Sequence, residues 1–174
     1  MGSPEILAII PARGGSKSIP RKNIRDFAGY PLIAFSIAAA LQCDKVSRVI
    51  VSTDDDEIAG VSLIYGAEVP FRRPVELAGD NVTDLPVFQQ ALAWLAENEK
   101  YHPDLVIHLH CTSPVRPVDC LARGIQMLDL NPDVECVRSV IPPTQSPYKM
   151  WHVNDKNGHL EPILTIQGVP EPFN

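Results

Sequence analysis

One segment near the N-terminus combines glycine, hydroxyl and cationic side chains at a spacing suited to binding phosphate. Its residues are Ile9-Ile10-Pro11-Ala12-Arg13-Gly14-Gly15-Ser16-Lys17-Ser18-Ile19-Pro20-Arg21-Lys22-Asn23. Paired glycines let backbone N–H groups approach an anion, while Arg and Lys side chains neutralise its charge. The spacing matches neither the Walker A loop nor the Gly-x-Gly-x-x-Gly loop. The segment therefore predicts a phosphate-binding loop of another type, with a solvated basic loop as the less favoured alternative.

The cations of the chain are concentrated in this region. The chain has 15 Lys and Arg residues against 21 Asp and Glu residues, a net charge of −6. Five of the 15 basic residues fall within 13 positions, here called the basic loop: Arg13, Lys17, Arg21, Lys22 and Arg25. One basic loop on an acidic protein favours a small anionic ligand, because nucleic acid requires a broader basic surface. We expect all five cations to surround that anion.

Other polar clusters have simpler interpretations. His108, His110 and Cys111 suggest a transition-metal site, but no second cluster completes it, so a packed His108 and a pocket-lining His110 are preferred. The acidic run of residues 54–56 is interpreted as helix capping. The four widely spaced cysteines favour a reduced cytoplasmic protein, and no Cys/His/acid arrangement supports a covalent nucleophile.

The elements around the basic loop alternate between strand and helix patterns. Strands are predicted at residues 6–10, 48–52, 67–69, 105–109 and 134–140. Helices are predicted at residues 31–41, from a cap at Thr53 or Asp54 to a stop at Gly66, at 86–99, and at 118–130. This alternation predicts a three-layer α/β fold with a mostly parallel sheet. Ligands bind at the carboxyl ends of such strands, which is where the basic loop begins.

The C-terminal part of the chain has a different character. Six prolines occur among residues 141–174, and apolar segments at 149–153 and 160–164 flank a turn-forming segment at 154–158. We expect a core over residues 1–141 and an arm over 142–174. No apolar run reaches the roughly 20 residues of a membrane span, and no signal-type segment begins the chain. The composition, 45% hydrophobic and 21% charged, excludes a disordered or collagen-like chain.

Three motifs together resemble the acylneuraminate cytidylyltransferase (CMP-sialic acid synthetase) family. The first is the run from Ile10 to Asn23, which is long and specific. The second is Arg73-Pro74-Val75-Glu76-Leu77-Ala78-Gly79-Asp80, and the third is Thr112-Ser113-Pro114-Val115-Arg116 after an apolar strand. The resemblance implies a Rossmann-like nucleotidyltransferase that transfers CMP from CTP to the anomeric hydroxyl of a sialic-acid-like (nonulosonic) sugar acid. Pyrophosphate would be released with the help of Mg²⁺.

The resemblance also implies roles for individual residues. Arg13 and Lys22 would be the catalytic cations that stabilise the transition state. The implied nucleotide-binding residues are Ala12, Arg13, Gly14, Gly15, Ser16, Lys22, Asn23, Arg73, Val82 and Asp84. For Asp84, capping of the helix predicted at 86–99 is an equal alternative. His110 and Lys149 would contact the sugar acid, and residues 142–174 would form the dimerisation arm of a cytoplasmic homodimer. Membrane and nucleic-acid partners are not expected.

Two departures from the family pattern leave alternatives open. His110 and Cys111 stand where many relatives have a Gln-Pro pair that touches the sugar. The same reaction on legionaminic, pseudaminic or 3-deoxy-octulosonic acid therefore remains an alternative. Relatives also continue past the position of Asn174 with an Asp-x-Asp pair that binds the metal. The metal ligands are therefore not identified: either the chain is incomplete, as its length against the family suggests, or the protein binds the metal differently. A non-catalytic nucleotide- or sugar-binding module is the alternative from another class.

Overall fold

Three parallel strands form the central sheet. The structure is a computed structural model that describes residues 4–142, 144 and 150–164. The strands are β1 (Ile6–Pro11), β4 (Arg48–Ser52) and β5 (Leu105–His108), in the spatial order β4-β1-β5. In this register Ile9 pairs with Ile50 on one side and with His108 on the other. The central strand β1 is almost fully buried, as its unbroken apolar sequence predicts.

Helices cover both faces of this sheet. They are α1 (Leu32–Leu41), α2 (Asp56–Ile64), α3 (Asp84–Glu99) and α4 (Cys120–Leu130). Ala8 and Ile10 of β1 point to one face, where α1 and α2 pack. Leu7 and Ile9 point to the other face and pack against α3. Successive residues of a strand alternate between faces, so one apolar run supplies both cores. The predicted three-layer α/β fold is confirmed.

The predicted strand at residues 134–140 is wrong, because this segment has no regular secondary structure. Its valines, Val134, Val137 and Val140, lie three residues apart, whereas one face of a strand requires a spacing of two. Val134 and Val140 are exposed. The predicted strand at 67–69 is reduced to a single bridge between Glu68 and Ile50.

A short hairpin that the sequence analysis did not predict joins the basic loop to α1. Its strands are β2 (Asp26–Phe27) and β3 (Tyr30–Pro31). Ala28 and Gly29 form the turn with positive φ angles of 53° and 89°. Phe27 packs edge-on against Phe35 of α1, so this hairpin fixes where the basic loop ends.

Contacts between residues divide the chain into two units, residues 1–136 and 137–174. Within the second unit, β6 (Trp151–Val153) pairs antiparallel with β7 (Leu160–Pro162), as the predicted hairpin requires. Gly158, with φ +70°, donates its N–H to the Asn154 carbonyl at 2.8 Å and closes the turn. The role of this unit in dimerisation stays a prediction. None of the helices that the structure describes has the length and apolar character needed to span a membrane.

Candidate functional site

A cleft of about 250 Å³ opens where β1 and β5 end. Pro11 lies at the end of β1, and His110, Cys111 and Thr112 follow β5. Eight residues that were predicted to contact nucleotide or sugar line this cleft: Arg13, Ser16, Lys22, Asn23, Arg73, Val82, Asp84 and His110. The fold therefore brings together side chains from three distant parts of the sequence. Lys149 lies outside the described residues.

The remaining predicted loop residues shape the backbone without lining the cleft. Ala12 is fully buried, and its N–H donates to the Ser52 carbonyl at 2.9 Å, which continues the sheet. The N–H of Gly14 donates to Asp54 Oδ1 at 3.0 Å. A Cβ added at Gly15 would meet nothing within 4 Å. The nucleotide-binding roles of Ala12, Gly14 and Gly15 stay predictions, and the Gly14 amide already has an acceptor within the protein.

Asp54 holds the basic loop in place, a role that the sequence analysis missed. Thr53 or Asp54 was predicted to cap α2, but Asp55 is the cap and accepts the Ile58 N–H at 2.9 Å. Asp54 is therefore available to hold Gly14 and tie the basic loop to the end of β4. The sequence does contain a signal for this role. Three consecutive aspartates follow the strand, and an N-cap uses only one of them, so another is available for a different contact.

The five cations of the basic loop have different positions, so the prediction that all five surround one anion is wrong. Arg13 donates to the Ala78 carbonyl at 3.3 Å and pairs with Asp80 at 2.7 Å. Lys17 is largely exposed and pairs with the same carboxylate. Arg21 does not line the cleft and pairs with Asp55 at 2.5 Å and with a neighbouring glutamate of α2.

Lys22 therefore differs from its neighbours in the loop. It lines the cleft, and no carboxylate of the described residues lies within 4.0 Å of its ammonium. Asp80 is held between Lys17 and Arg13, whose hydrogen bonds lower the pKa of its carboxyl. Lys22 and Arg13 are the loop cations in position to meet a ligand in the cleft, whereas Arg25 is exposed and does not line it.

Arg73 is a buried cation in the cleft wall. Its side chain donates to Ser52 twice, from Nε to Oγ at 3.1 Å and from a terminal nitrogen to the carbonyl at 2.5 Å. Burial lowers the pKa of Arg73, and the charges of Asp54 and Asp84 act in the opposite direction. Asn23, also buried, donates to the Arg13 carbonyl at 2.9 Å and so positions the loop. Both residues are fixed before any ligand binds.

Hydrogen bonds also fix the opposite wall, after β5. Ser36 Oγ donates to the His110 carbonyl at 3.1 Å, and Arg116 donates both to that oxygen at 2.5 Å and to Ser36 Oγ at 3.1 Å. Burial raises the pKa of Cys111 to about 12, so its thiol is protonated near neutral pH. This agrees with the expectation that Cys111 is not a nucleophile.

Asp84 meets two histidines at the edge of the cleft. Its Oδ2 lies 3.5 Å from His108 Nε2 and 3.7 Å from His110 Nε2. The His108 ring packs against Phe88 of α3, with centroids 4.6 Å apart. The sequence analysis grouped these histidines with Cys111. In the fold the third member of the cluster is Asp84, at the start of α3. Cys111 is instead buried.

The family resemblance implies Mg²⁺, which prefers oxygen ligands in an octahedral arrangement. Within the described ranges, one group of three possible metal ligands is present, and it consists of Asp84, His108 and His110. Two of these three donors are imidazole nitrogens. This group therefore does not fit Mg²⁺.

The parallel sheet with helices on both faces, and with a cleft lined by cations at the ends of its strands, defines a three-layer α/β protein. Its fold matches that of a CMP:2-keto-3-deoxy-manno-octonic acid synthetase complexed with CTP, with a TM-score of 0.62 and 23% identity. The match covers 74% of this chain and 48% of that one. Residues 7–157 match the Cytidylyltransferase family, and the chain belongs to that family.

Curated relatives agree with this assignment. The chain is 46% identical over 126 residues to the pseudaminic acid cytidylyltransferase of Campylobacter jejuni, covering 72% of this chain and 53% of the relative. It is 35% identical over 159 residues to the CMP-N,N'-diacetyllegionaminic acid synthase of Legionella pneumophila, covering 91% of this chain and 67% of the relative. The chain thus spans about half the length of the first of these relatives. The predicted family is confirmed.

Proposed function

We propose that this protein transfers CMP from CTP to the anomeric hydroxyl of a nonulosonic acid and releases pyrophosphate. The observation that carries the proposal is the convergence of Arg13, Lys22 and Arg73 on one cleft at the carboxyl ends of parallel strands. These residues come from two separate motifs of the sequence. The family of the chain supplies the reaction class.

The chemistry requires fixed positive charge and no covalent intermediate. Nucleotidyl transfer increases negative charge on the α-phosphoryl oxygens and on the leaving pyrophosphate, so preorganised cations lower the barrier. Arg73 is held by Ser52, and Arg13 is held by Asp80 and the Ala78 carbonyl. Both are therefore oriented in advance. Lys22 lacks such a partner among the described residues and supplies a cation that is available to the phosphates.

The proposal assigns different cleft residues to the nucleotide and to the sugar, with the two groups meeting where Asp84 lies 3.7 Å from His110. Val82 and Asp84 line the wall before α3, where the proposal puts the cytidine. His110 lines the wall after β5, where the proposal puts the sugar acid. The relatives named above support pseudaminic or legionaminic acid as the sugar, and both belong to the nonulosonic class. Lys149 as a carboxylate ligand, a homodimer, a cytoplasmic location and a requirement for Mg²⁺ are part of the same proposal.

The test is a turnover assay that measures pyrophosphate release from CTP and Mg²⁺ with a panel of acceptors. The panel contains pseudaminic, legionaminic, N-acetylneuraminic and 3-deoxy-octulosonic acids. We expect release with at least one of the first three. Calorimetry with CTP runs in parallel. CTP binding without pyrophosphate release from any acceptor, measured on the full-length gene product, would overturn the proposal and favour a nucleotide-binding module.

Two lysines of the basic loop provide a matched pair for this assay. Lys22→Ala removes a cation that lines the cleft, whereas Lys17→Ala removes one that is 82% exposed and does not line it. Loss of one transition-state donor typically lowers kcat by about 10²–10³-fold. We expect a loss of that order in kcat/KM for Lys22→Ala and less than about a threefold change for Lys17→Ala. Equal losses in the two variants would contradict the assigned role of Lys22.

A further inference from the structure

The cluster of Asp84, His108 and His110 brings three possible metal-ligand atoms close together. One ligand atom from each residue lies within 4.8 Å of the other two. The two distances to Asp84 Oδ2 are 3.5 and 3.7 Å. Zinc bonds of about 2.0–2.2 Å in a tetrahedron place neighbouring ligand atoms about 3.4 Å apart. Small side-chain rotations would therefore bring the three donors to bonding distance of one ion.

Strand β5 and helix α3 position these donors. His108 and His110 are two residues apart along the chain at the end of β5, a separation that puts their side chains on one side of a strand. Their rings lie in contact, with centroids 4.0 Å apart. Asp84 is the first residue of α3, and α3 also supplies Phe88 against the His108 ring. Two packed elements thus hold the three donors together.

The donor set selects the class of ion. Neutral imidazole and carboxylate together suit zinc, cobalt and nickel, whereas Mg²⁺ prefers oxygen ligands alone. Three protein ligands leave a fourth position for water or substrate. Asp84 and His110 also line the cleft, so the bound ion would lie in the cleft wall. Arg73 is close enough for the charge of Asp84 to influence its pKa, and its positive charge would weaken binding of the ion.

We propose that Asp84, His108 and His110 form a binding site for a divalent transition-metal ion of the zinc class. The site differs from the Mg²⁺ requirement that the family resemblance implies, both in its ligands and in the ion that it selects. It stands on the contacts among these three side chains and does not depend on the proposed transfer of CMP.

The test measures Zn²⁺ and Co²⁺ binding to the purified protein by competition with a chromophoric chelator. All variants carry Cys136→Ser, because an exposed thiol would also bind these ions. His108→Gln, His110→Gln and Asp84→Asn each remove one ligand, and His102→Gln is the matched control on an exposed histidine outside the cluster. Neither CTP nor turnover enters this measurement, so its failure is distinct from failure of the proposed function.

We expect one Zn²⁺ ion per chain at this site, with affinity at least about tenfold lower in each ligand variant and unchanged in the control. Excess Mg²⁺ should not displace it. Thermal unfolding without metal checks that the variants are folded, and added Zn²⁺ should raise the Tm of the control but not of His108→Gln. Equal Zn²⁺ affinities in the control and the ligand variants, or no binding to the control, would overturn the proposal.

Discussion

Gly14 provides a sharp test of how the basic loop is attached to the fold. A Cβ at this position would lie 2.7 Å from Asp55 Oδ2 and 2.9 Å from Asp55 Cβ. Both distances are shorter than real Cβ contacts allow, and Asp55 Cβ cannot move without its backbone. Gly14→Ala must therefore displace either the loop or the start of α2. Gly15→Ala is the matched control, because nothing lies within 4 Å of its Cβ position.

The cost follows from the contacts that Asp55 makes. Its carboxylate caps α2 through the Ile58 N–H at 2.9 Å, and loss of an N-cap costs about 0.5–2 kcal/mol. Its pair with Arg21 adds less than about 1 kcal/mol, because the arginine side chain is 40% exposed. We expect Gly14→Ala to lower the free energy of unfolding by about 1–2 kcal/mol relative to Gly15→Ala. In a domain of this size that corresponds to a Tm lower by about 2–8 °C.

Calorimetric unfolding of the two variants measures this difference directly. Both variants gain the same reduction in unfolded-state entropy that accompanies any change from glycine to alanine, so the comparison isolates the clash. CTP affinity is the second readout, and we expect it to fall in Gly14→Ala because the loop carries Arg13 into the cleft. A difference of 1 °C in Tm corresponds to about 0.3 kcal/mol in the free energy of unfolding. If the Tm values of the two variants agree within about 1 °C, the reasoning about Asp55 is refuted.

Three further predictions rest on single contacts. At pH 8 iodoacetamide should label the exposed Cys136 and leave Cys111 unlabelled in peptide mass spectra. The reason is that a thiol of pKa about 12 is only about 0.01% ionised at that pH. Rapid labelling of Cys111 in the folded protein would contradict its burial. Arg48→Met should lower the free energy of unfolding in urea by about 1–3 kcal/mol, since it removes the two-point contact with Glu68 at 2.9 and 2.5 Å, and Arg48→Lys should recover less than half of that loss. The pKa of Asp55 lies below its ordinary value of 3.8, chiefly through its hydrogen bonds to an arginine, so its stabilisation is complete above that pH and is lost as the pH falls through the folded value. Asp55→Asn should accordingly show a shallower fall in urea midpoint below pH 4, and an unchanged slope would remove Asp55 from the acid transition.

Local patterns predicted most of the core elements. The unbroken apolar run that became β1 and the helical spacing that became α3 specify burial by their own periodicity. The strand prediction at 134–140 was wrong because it relied on the preference of valine for strands. The spacing of these valines gives a strand no apolar face. The β2–β3 hairpin was missed because its strands are only two residues long.

The candidate site was predictable in its residue types and less so in its contacts. The sequence indicated that Arg13, Lys22 and Arg73 belong to one anion site, and all three line the cleft. It could not indicate that Arg21 pairs with Asp55, because the two lie 34 residues apart and meet only when α2 packs beside the loop. It also could not indicate that Asp54 accepts the Gly14 N–H while Asp55 caps α2, because Gly14 and Asp54 lie 40 residues apart.

The sequence by itself determined the class of this protein: an α/β fold with one basic loop after a buried strand, in an acidic chain suited to a small anion. These properties follow from the composition of the chain and from patterns that extend over a few neighbouring residues. Only the tertiary structure decided which cations face the cleft and which are neutralised elsewhere. It also decided that Asp84 joins His108 and His110. Parallel crossovers bring strand ends together from positions far apart in the chain, and the partner of each charge is set by that packing.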